Sequence, residues 1–161
     1  MTPVVFDLDG TLVDSLPGIA WAANTLLAEQ GRPAVPQARI GGFVGWGEKV
    51  FLDRLLEAAE VDAAHHAQLM ARFLELYRAA AGRTTLFPGV RAALDALRTE
   101  GVPIGLCTNK PSGPTEAVLD VLNLHGFFDV VVAGDTLARR KPDPAPLRHA
   151  FASLGRPGVY V

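Results

Sequence analysis

The chain is short of cysteine, of net charge and of long apolar runs, and each shortage removes a class of protein. Of 161 residues only Cys107 is a cysteine. It can form no internal disulfide, so a stapled secreted scaffold is excluded and a reducing, cytoplasmic setting is expected. The formal net charge of −2 gives no electrostatic case for nucleic acid or an anionic membrane as partner. No apolar run approaches the ~20 residues of a membrane-spanning helix. The first apolar strand begins at Val4, which leaves no room for a signal peptide before it. Internal repeats and low-complexity tracts are also missing. What remains is a chain that is 49% hydrophobic, enough for a real core. Its length suits one ordinary domain, or a core with a small insert.

The most informative segment is Val4-Val5-Phe6-Asp7-Leu8-Asp9-Gly10-Thr11-Leu12-Val13-Asp14-Ser15. An apolar run ends in two carboxylates spaced i, i+2, followed by a Gly-Thr turn. The C-terminal end of a buried strand is where open parallel α/β sheets keep their ligand sites. Acids placed there cost folding energy unless they are paired, and a hard divalent cation is the simplest partner. A division of labour is chemically sensible. One carboxylate attacks phosphorus and becomes an acyl-phosphate, while the other protonates the leaving alkoxide and then activates water. Gly10 lets the chain turn sharply after the acids.

The rest of the chain reads as two kinds of pattern. From Ser15 to about Gly82 nothing reads as a strand. Ser15–Glu29 is amphipathic, with Gly31 as its C-cap, and Asp14 and Ser15 are expected to cap its start. Glu48–Ala59 is a second helix with Val50, Phe51, Leu55 and Leu56 inward. Asp62 is expected to cap a third that runs to Ala81, with a stripe of Leu69, Phe73, Leu76, Tyr77 and Ala80. From Pro88 helices and strands alternate. Pro88–Glu100, a helix from Ser112 or Thr115, and one capped by Asp143 separate strands at Val102–Cys107, Phe128–Ala133 and Val159–Val161. Alternation of this kind implies a doubly wound parallel sheet. The fold class expected is therefore α/β, a Rossmann-like core from 1–15 and 83–161 with a small helical cap, 16–82, inserted over the site.

Thr108 and Asn109 end the second strand, where a hydroxyl and free N–H groups could hold phosphate oxygens. The same Thr-Asn-Lys-Pro-Ser run is also good turn chemistry. Lys141, ahead of Pro142-Asp143-Pro144, could neutralise both a nucleophilic carboxylate and a transferring phosphoryl group. It is preferred over Arg139 and Arg140, although most basic runs are solvated faces. Asp135, at a strand end, reads equally as a residue that supports the site from behind or as a turn residue. His65 and His66 point to different helix faces and make a poor metal pair. Trp46 reads as a substrate-facing cap residue or a packing anchor, and Lys49 as facing the site or water; the Gly-rich segment beside them (Gly41, Gly42, Gly45, Gly47), free to open and close, tips the reading toward substrate.

Three segments in order resemble the signatures of the haloacid dehalogenase superfamily of phosphatases: the Asp7–Ser15 string, Ile104–Pro111 ending in Thr108-Asn109, and Lys141 in Arg140–Pro144. The resemblance implies Asp7 as nucleophile and Asp9 as acid–base residue. It also implies Mg²⁺ held by Asp7, the main-chain carbonyl of Asp9 and a further aspartate. Relatives that do not cleave phosphate esters lack a carboxylate at the position of Asp9, so Asp9 favours ester hydrolysis. Phe43–Gly47, Thr108–Pro111 and Lys141–Leu147 look like the phosphoglycolate phosphatase branch, although Trp46 stands where Asn is common. A small phosphorylated metabolite such as 2-phosphoglycolate is the substrate implied. The alternative is a β-phosphoglucomutase-like isomerase using the same aspartyl phosphate. The family's fourth signature, which carries the further aspartate, is absent after Val161. A truncated chain that binds Mg²⁺ weakly and turns over poorly is expected on that ground.

Overall fold

A computed structural model describes residues 1–161, the side chain of Ala63 excepted. The chain opens with β1 (Val4–Phe6) and β2 (Val13–Asp14). Four helices follow: α1 (Leu16–Glu29), α2 (Gln37–Gly41), α3 (Glu48–Ala58) and α4 (His66–Ala79). The chain then alternates: β3 (Thr85–Leu86), α5 (Val90–Thr99), β4 (Ile104–Cys107), α6 (Ser112–Val121), β5 (Val130–Val132), α7 (Ala145–Ser153) and β6 (Val159–Tyr160).

Four strands form a parallel sheet in the order β5-β4-β1-β6. The fold is α/β, as the alternation predicts. Every residue of β4 is buried because helices cover both of its faces. Ile104 and Leu106 pack with Leu94, Val118 and Leu119 on the face that α5 and α6 cover. Val5, Cys107 and Val132 meet Ala150, with Leu147, Phe151 and Leu154 half-buried beside them. Each fully buried leucine here stabilises the fold by on the order of 2 kcal/mol.

A two-stranded antiparallel pair, β2 with β3, forms a neck where the chain leaves the sheet layer and returns. Strands of two residues carry no periodicity, and neither is foreseen from the sequence. Between them the helices bury a core of their own, including Leu26, Leu52, Leu55 and Phe73. α1 packs against both α2 and α4.

Most helix ends follow from local chemistry. After α1, Gly31 donates to the Ala28 carbonyl and Arg32 to that of Leu27, the paired bonds of a Schellman turn. Ser15 occupies the N-cap position but makes no side-chain capping bond; Asp14 Oδ1 instead accepts the Leu16 N–H at 3.2 Å. Asp62 accepts the Ala64 N–H at 2.9 Å, so it caps a 3₁₀ turn over Ala63–His65 rather than α4 itself. A second 3₁₀ turn, Ala80–Arg83, closes that stretch. Asp143 sits one residue before the N-cap of α7, yet its Oδ1 accepts the Ala145 N–H at 2.8 Å. Val50 is exposed, because the buried stripe of α3 is Phe51, Leu52, Leu55 and Leu56.

Candidate active site

β1 delivers Asp7 and Asp9 to the C-terminal end of the sheet, where they line a partly open pocket. The Asp7 N–H donates to the Val161 carbonyl at 2.8 Å, continuing the pairing of β1 with β6. Asp7 Oδ1 accepts the Leu8 N–H at 2.8 Å and lies 2.9 Å from Lys141 Nζ. Its Oδ2 has no partner among the described residues, and the side chain is 32% exposed. Asp9 Oδ1 lies 2.8 Å from the ammonium of Lys110. Two carboxylates thus share one site, each held by its own lysine.

Lys141 reaches Asp7 from the loop before α7. It also donates to the Cys107 carbonyl at 2.9 Å and the Tyr160 hydroxyl at 2.7 Å. Burial lowers its pKa, but the bonds to Tyr160 and Asp7 outweigh that, and the net shift is upward. Lys141 therefore stays charged well above neutral pH. The neighbouring arginines do other work. Arg139 pairs with Asp143 at 2.9 Å, and Arg140 with Glu48, the first residue of α3, at 2.7 Å.

Thr108 is buried and lines the pocket, its Oγ1 accepting the Lys110 N–H at 3.1 Å. The Asn109 side chain is committed to protein. Its Nδ2 donates to the carbonyls of Gly45 and Lys141 at 2.9 and 2.8 Å, and its Oδ1 accepts the Lys141 N–H at 2.9 Å. With three bonds made, the amide is not free for a phosphate oxygen, and the sequence reading rests on main-chain N–H groups here rather than on that amide. What Asn109 offers is its main-chain N–H, which, like that of Asp9, has no acceptor among the described residues.

The helical unit closes the other side of the pocket with Val44, Gly45, Glu48, Phe51, Phe73 and Tyr77. Trp46 and Lys49, the cap residues expected from the sequence, are not part of that wall. Trp46 is 54% exposed, with the Arg54 guanidinium 5.7 Å from its ring centre. The Lys49 side chain is 73% exposed and pairs with Asp53 one turn along α3. The backbone explains the difference. Gly47 has φ +88°, and a Cβ there would collide with the Arg140 guanidinium, so the chain turns Gly45, Gly47 and Glu48 inward and leaves their neighbours outside.

Three residues go unnoticed in the sequence reading. Lys110 looks like part of a turn, yet its side chain is 0% exposed and bonds both Asp9 and the Tyr77 hydroxyl. Tyr77 reads as one more residue on a core stripe. Burial and the nearby Asp9 push its phenol pKa well above the usual value. Tyr160 carries no local signal at all. Asp135 resolves as a structural residue, its carboxylate accepting both the N–H and the hydroxyl of Ser112 at the start of α6. His66 bonds Asp53 at 2.8 Å and joins α3 to α4.

Gly134 fixes the Thr108–Lys110 turn from behind. Its N–H donates to the Lys110 carbonyl at 2.8 Å, and a Cβ there would overlap the Asn109 carbonyl, with the carbonyl carbon only 2.7 Å away. Backbone on both sides leaves nothing to yield. Gly134→Ala is expected to cost about 2–3 kcal/mol of stability, the upper range for overpacking. Phosphate release should fall at least ~10-fold as the turn shifts. A thermal melt beside a phosphate assay checks this, and an unchanged melting temperature would contradict it.

The donor set can be weighed against the Mg²⁺ that the family resemblance implies. The described residues contain no cluster of three or more acidic, His or Cys side chains suited to a metal. The Asp7 carboxylate and the Asp9 main-chain oxygen, which has no partner among the described residues, are nevertheless two hard oxygen donors. Mg²⁺ commonly takes one or two carboxylates and fills its other positions with phosphate and water, so these residues fit it.

No helix is long and apolar enough to cross a membrane. A model of the haloacid dehalogenase-like hydrolases matches residues 2–161. The phosphoglycolate phosphatase of Cereibacter sphaeroides is 48% identical, the match covering all of this chain and 76% of that protein. That of Yersinia pestis is 42% identical over 98% of this chain and 68% of its own length. Among solved structures, a predicted phosphoglycolate phosphatase from Haemophilus somnus superposes with a TM-score of 0.90 at 27% identity, over 97% of this chain and 72% of that one. A family match along almost the entire sequence, joined to a shared fold, has one reading: the chain belongs to the haloacid dehalogenase-like hydrolases, as an enzyme similar to the phosphoglycolate phosphatases.

Proposed function

We propose that the protein is a Mg²⁺-dependent phosphate monoester hydrolase acting on 2-phosphoglycolate or a similarly small phosphorylated acid. The observation that carries this reading is Asp7, with one carboxylate oxygen clamped by Lys141 and the other open to the pocket. Asp7 Oδ2 attacks phosphorus, and the bond from phosphorus to the ester oxygen breaks. Asp9 gives its proton to the departing alkoxide, which leaves as the alcohol. The aspartyl phosphate is then hydrolysed. Asp9, now a carboxylate, takes a proton from water, the water oxygen attacks phosphorus, and the bond to Asp7 breaks. Inorganic phosphate is released, with both aspartates restored.

Lys141, the Thr108 hydroxyl and the N–H groups of Asp9 and Asn109 surround the phosphoryl oxygens and offset their charge. Asp7 and the Asp9 carbonyl oxygen would hold Mg²⁺, which would add to the neutralisation of the phosphoryl oxygens. The unit 16–82 acts as a cap over a core of 1–15 and 83–161. It contacts the core loops through Asn109 with Gly45, Arg140 with Glu48, and Lys110 with Tyr77. The substrate assignment draws on the names of the relatives and on the pocket, to whose wall Phe51 and Phe73 contribute apolar rings.

The test is phosphate release from 2-phosphoglycolate, with Mg²⁺ and with a chelator in its place. Release at least ~100-fold faster with the metal is expected, given several kcal/mol of charge stabilisation from such an ion. Equal rates in both conditions would refute the metal dependence. Release from glucose 1-phosphate but not from 2-phosphoglycolate would refute the substrate.

A further inference from the structure

Of the three lysines in the chain, Lys110 alone has a side chain with no exposure. A buried ammonium costs several kcal/mol unless it is well paired. Lys110 is paired twice through Nζ, to Asp9 Oδ1 at 2.8 Å and to the Tyr77 hydroxyl, and it lies 4.3 Å from the centre of the Tyr77 ring. Its backbone is fixed too, with the N–H on Thr108 Oγ1 and the carbonyl accepting from Gly134. The ammonium is therefore held by two residues, on a backbone that is itself fixed at both its N–H and its carbonyl.

Tyr77 comes from α4, in the helical unit, and has a place in a row of rings. It stacks on Phe73 at 5.5 Å, Phe73 stacks on Phe51 at 5.0 Å, and Phe51 meets the edge of Phe43 at 6.2 Å. This row runs from the segment before α3 to the Lys110 ammonium. It is the only contact between the helical unit and Asp9 that passes through a polar group among the described residues.

We propose that Lys110 and Tyr77 are positioning residues for proton transfer: Tyr77 holds the Lys110 ammonium, and Lys110 holds the Asp9 carboxylate in line with the leaving oxygen only while α4 is docked. The inference rests on the reading of Asp9 as the acid–base residue. An alkyl ester needs a proton on its leaving oxygen, whereas a nitrophenolate departs without one. A group that acts only by aligning Asp9 should therefore matter for the first ester and hardly for the second.

The test is kcat/KM for 2-phosphoglycolate and for 2,4-dinitrophenyl phosphate in Asp9→Asn, Lys110→Met and Tyr77→Phe, with thermal melts of each. The ratio kcat/KM covers only steps up to phosphoryl transfer, so the later role of Asp9 with water does not enter it. Lys110→Met is expected to lose about 100-fold on the alkyl ester and less than about 5-fold on the aryl ester, the range of general acid catalysis. Tyr77→Phe should show the same split at about 10-fold, since the ring stack survives. Equal losses on both esters in Tyr77→Phe would make the pair structural and overturn the inference, even if Lys110→Met fails to fold. If Asp9→Asn loses both esters alike, the acid–base reading itself falls. If Asp9→Asn shows the split while Lys110→Met and Tyr77→Phe do not, only the positioning role falls.

Discussion

Asp7→Asn should abolish phosphate release, by about 10⁴-fold or more, as loss of a covalent nucleophile does. The amide matches the carboxylate in shape, so the backbone bond from residue 7 to Val161 and the pairing of β1 with β4 are left in place. What disappears is an anionic oxygen able to bond phosphorus. The variant should melt within a few degrees of the parent protein, which separates chemistry from folding. Mixing with substrate and quenching in acid should trap phosphorylated parent protein and none of the variant. Retention of even a tenth of the activity would mean that water attacks phosphorus directly, and the aspartyl phosphate would have to be abandoned.

The second large effect is expected at Lys141. Its ammonium contacts Asp7 at 2.9 Å, and a phosphoryl group approaching Asp7 would bring more negative charge into the same space. Two unit charges ~4 Å apart interact by about 4 kcal/mol at the effective dielectric of a protein site, equivalent to a rate factor of about 10³. Lys141→Met removes the cation and keeps the length, so kcat should fall by about 10²- to 10³-fold. Lys141→Arg should not restore it. The Nζ is shared by Asp7, the Cys107 carbonyl and Tyr160, an arrangement that suits a compact ammonium and not a planar fork. A loss smaller than about 5-fold in Lys141→Met would show that phosphoryl charge is offset elsewhere.

The sequence carried those parts of the site that depend on local pattern. Asp7 and Asp9 are legible because the whole string from Val4 to Ser15 carries the resemblance, whereas two acids at a strand end alone would read as a capped turn. Lys141 is legible because the Pro-Asp-Pro helix start behind it fixes one residue in place. The end of α1 at Gly31 is written in a single residue. The two-residue strands β2 and β3 are not legible, since only pairing across the neck defines them. Trp46 and Lys49 were misplaced because the direction of a Gly-rich segment is set by φ values at Gly45 and Gly47 that composition does not reveal. Asn109 is read as a phosphate ligand through its main-chain N–H, but the use of its amide is not legible, because the carbonyls of Gly45 and Lys141 that take it up are far away in sequence. Lys110 was missed for the same reason. Its partner Asp9 lies 101 residues earlier, and nothing local marks a lysine as buried.

The two lysines differ in what holds them. Lys141 is tied to the sheet layer, through Cys107, Tyr160 and the Asn109 clasp on its own backbone. Lys110 leans on a tyrosine from the other unit. On the proposed reading, the half of the site that anchors a phosphoryl group rests mainly on the sheet layer, while the half that expels the alcohol leans on a residue of the helical unit. This connectivity divides the work: capture of the phosphate draws on one layer, and release of the alcohol waits on a contact supplied across the two.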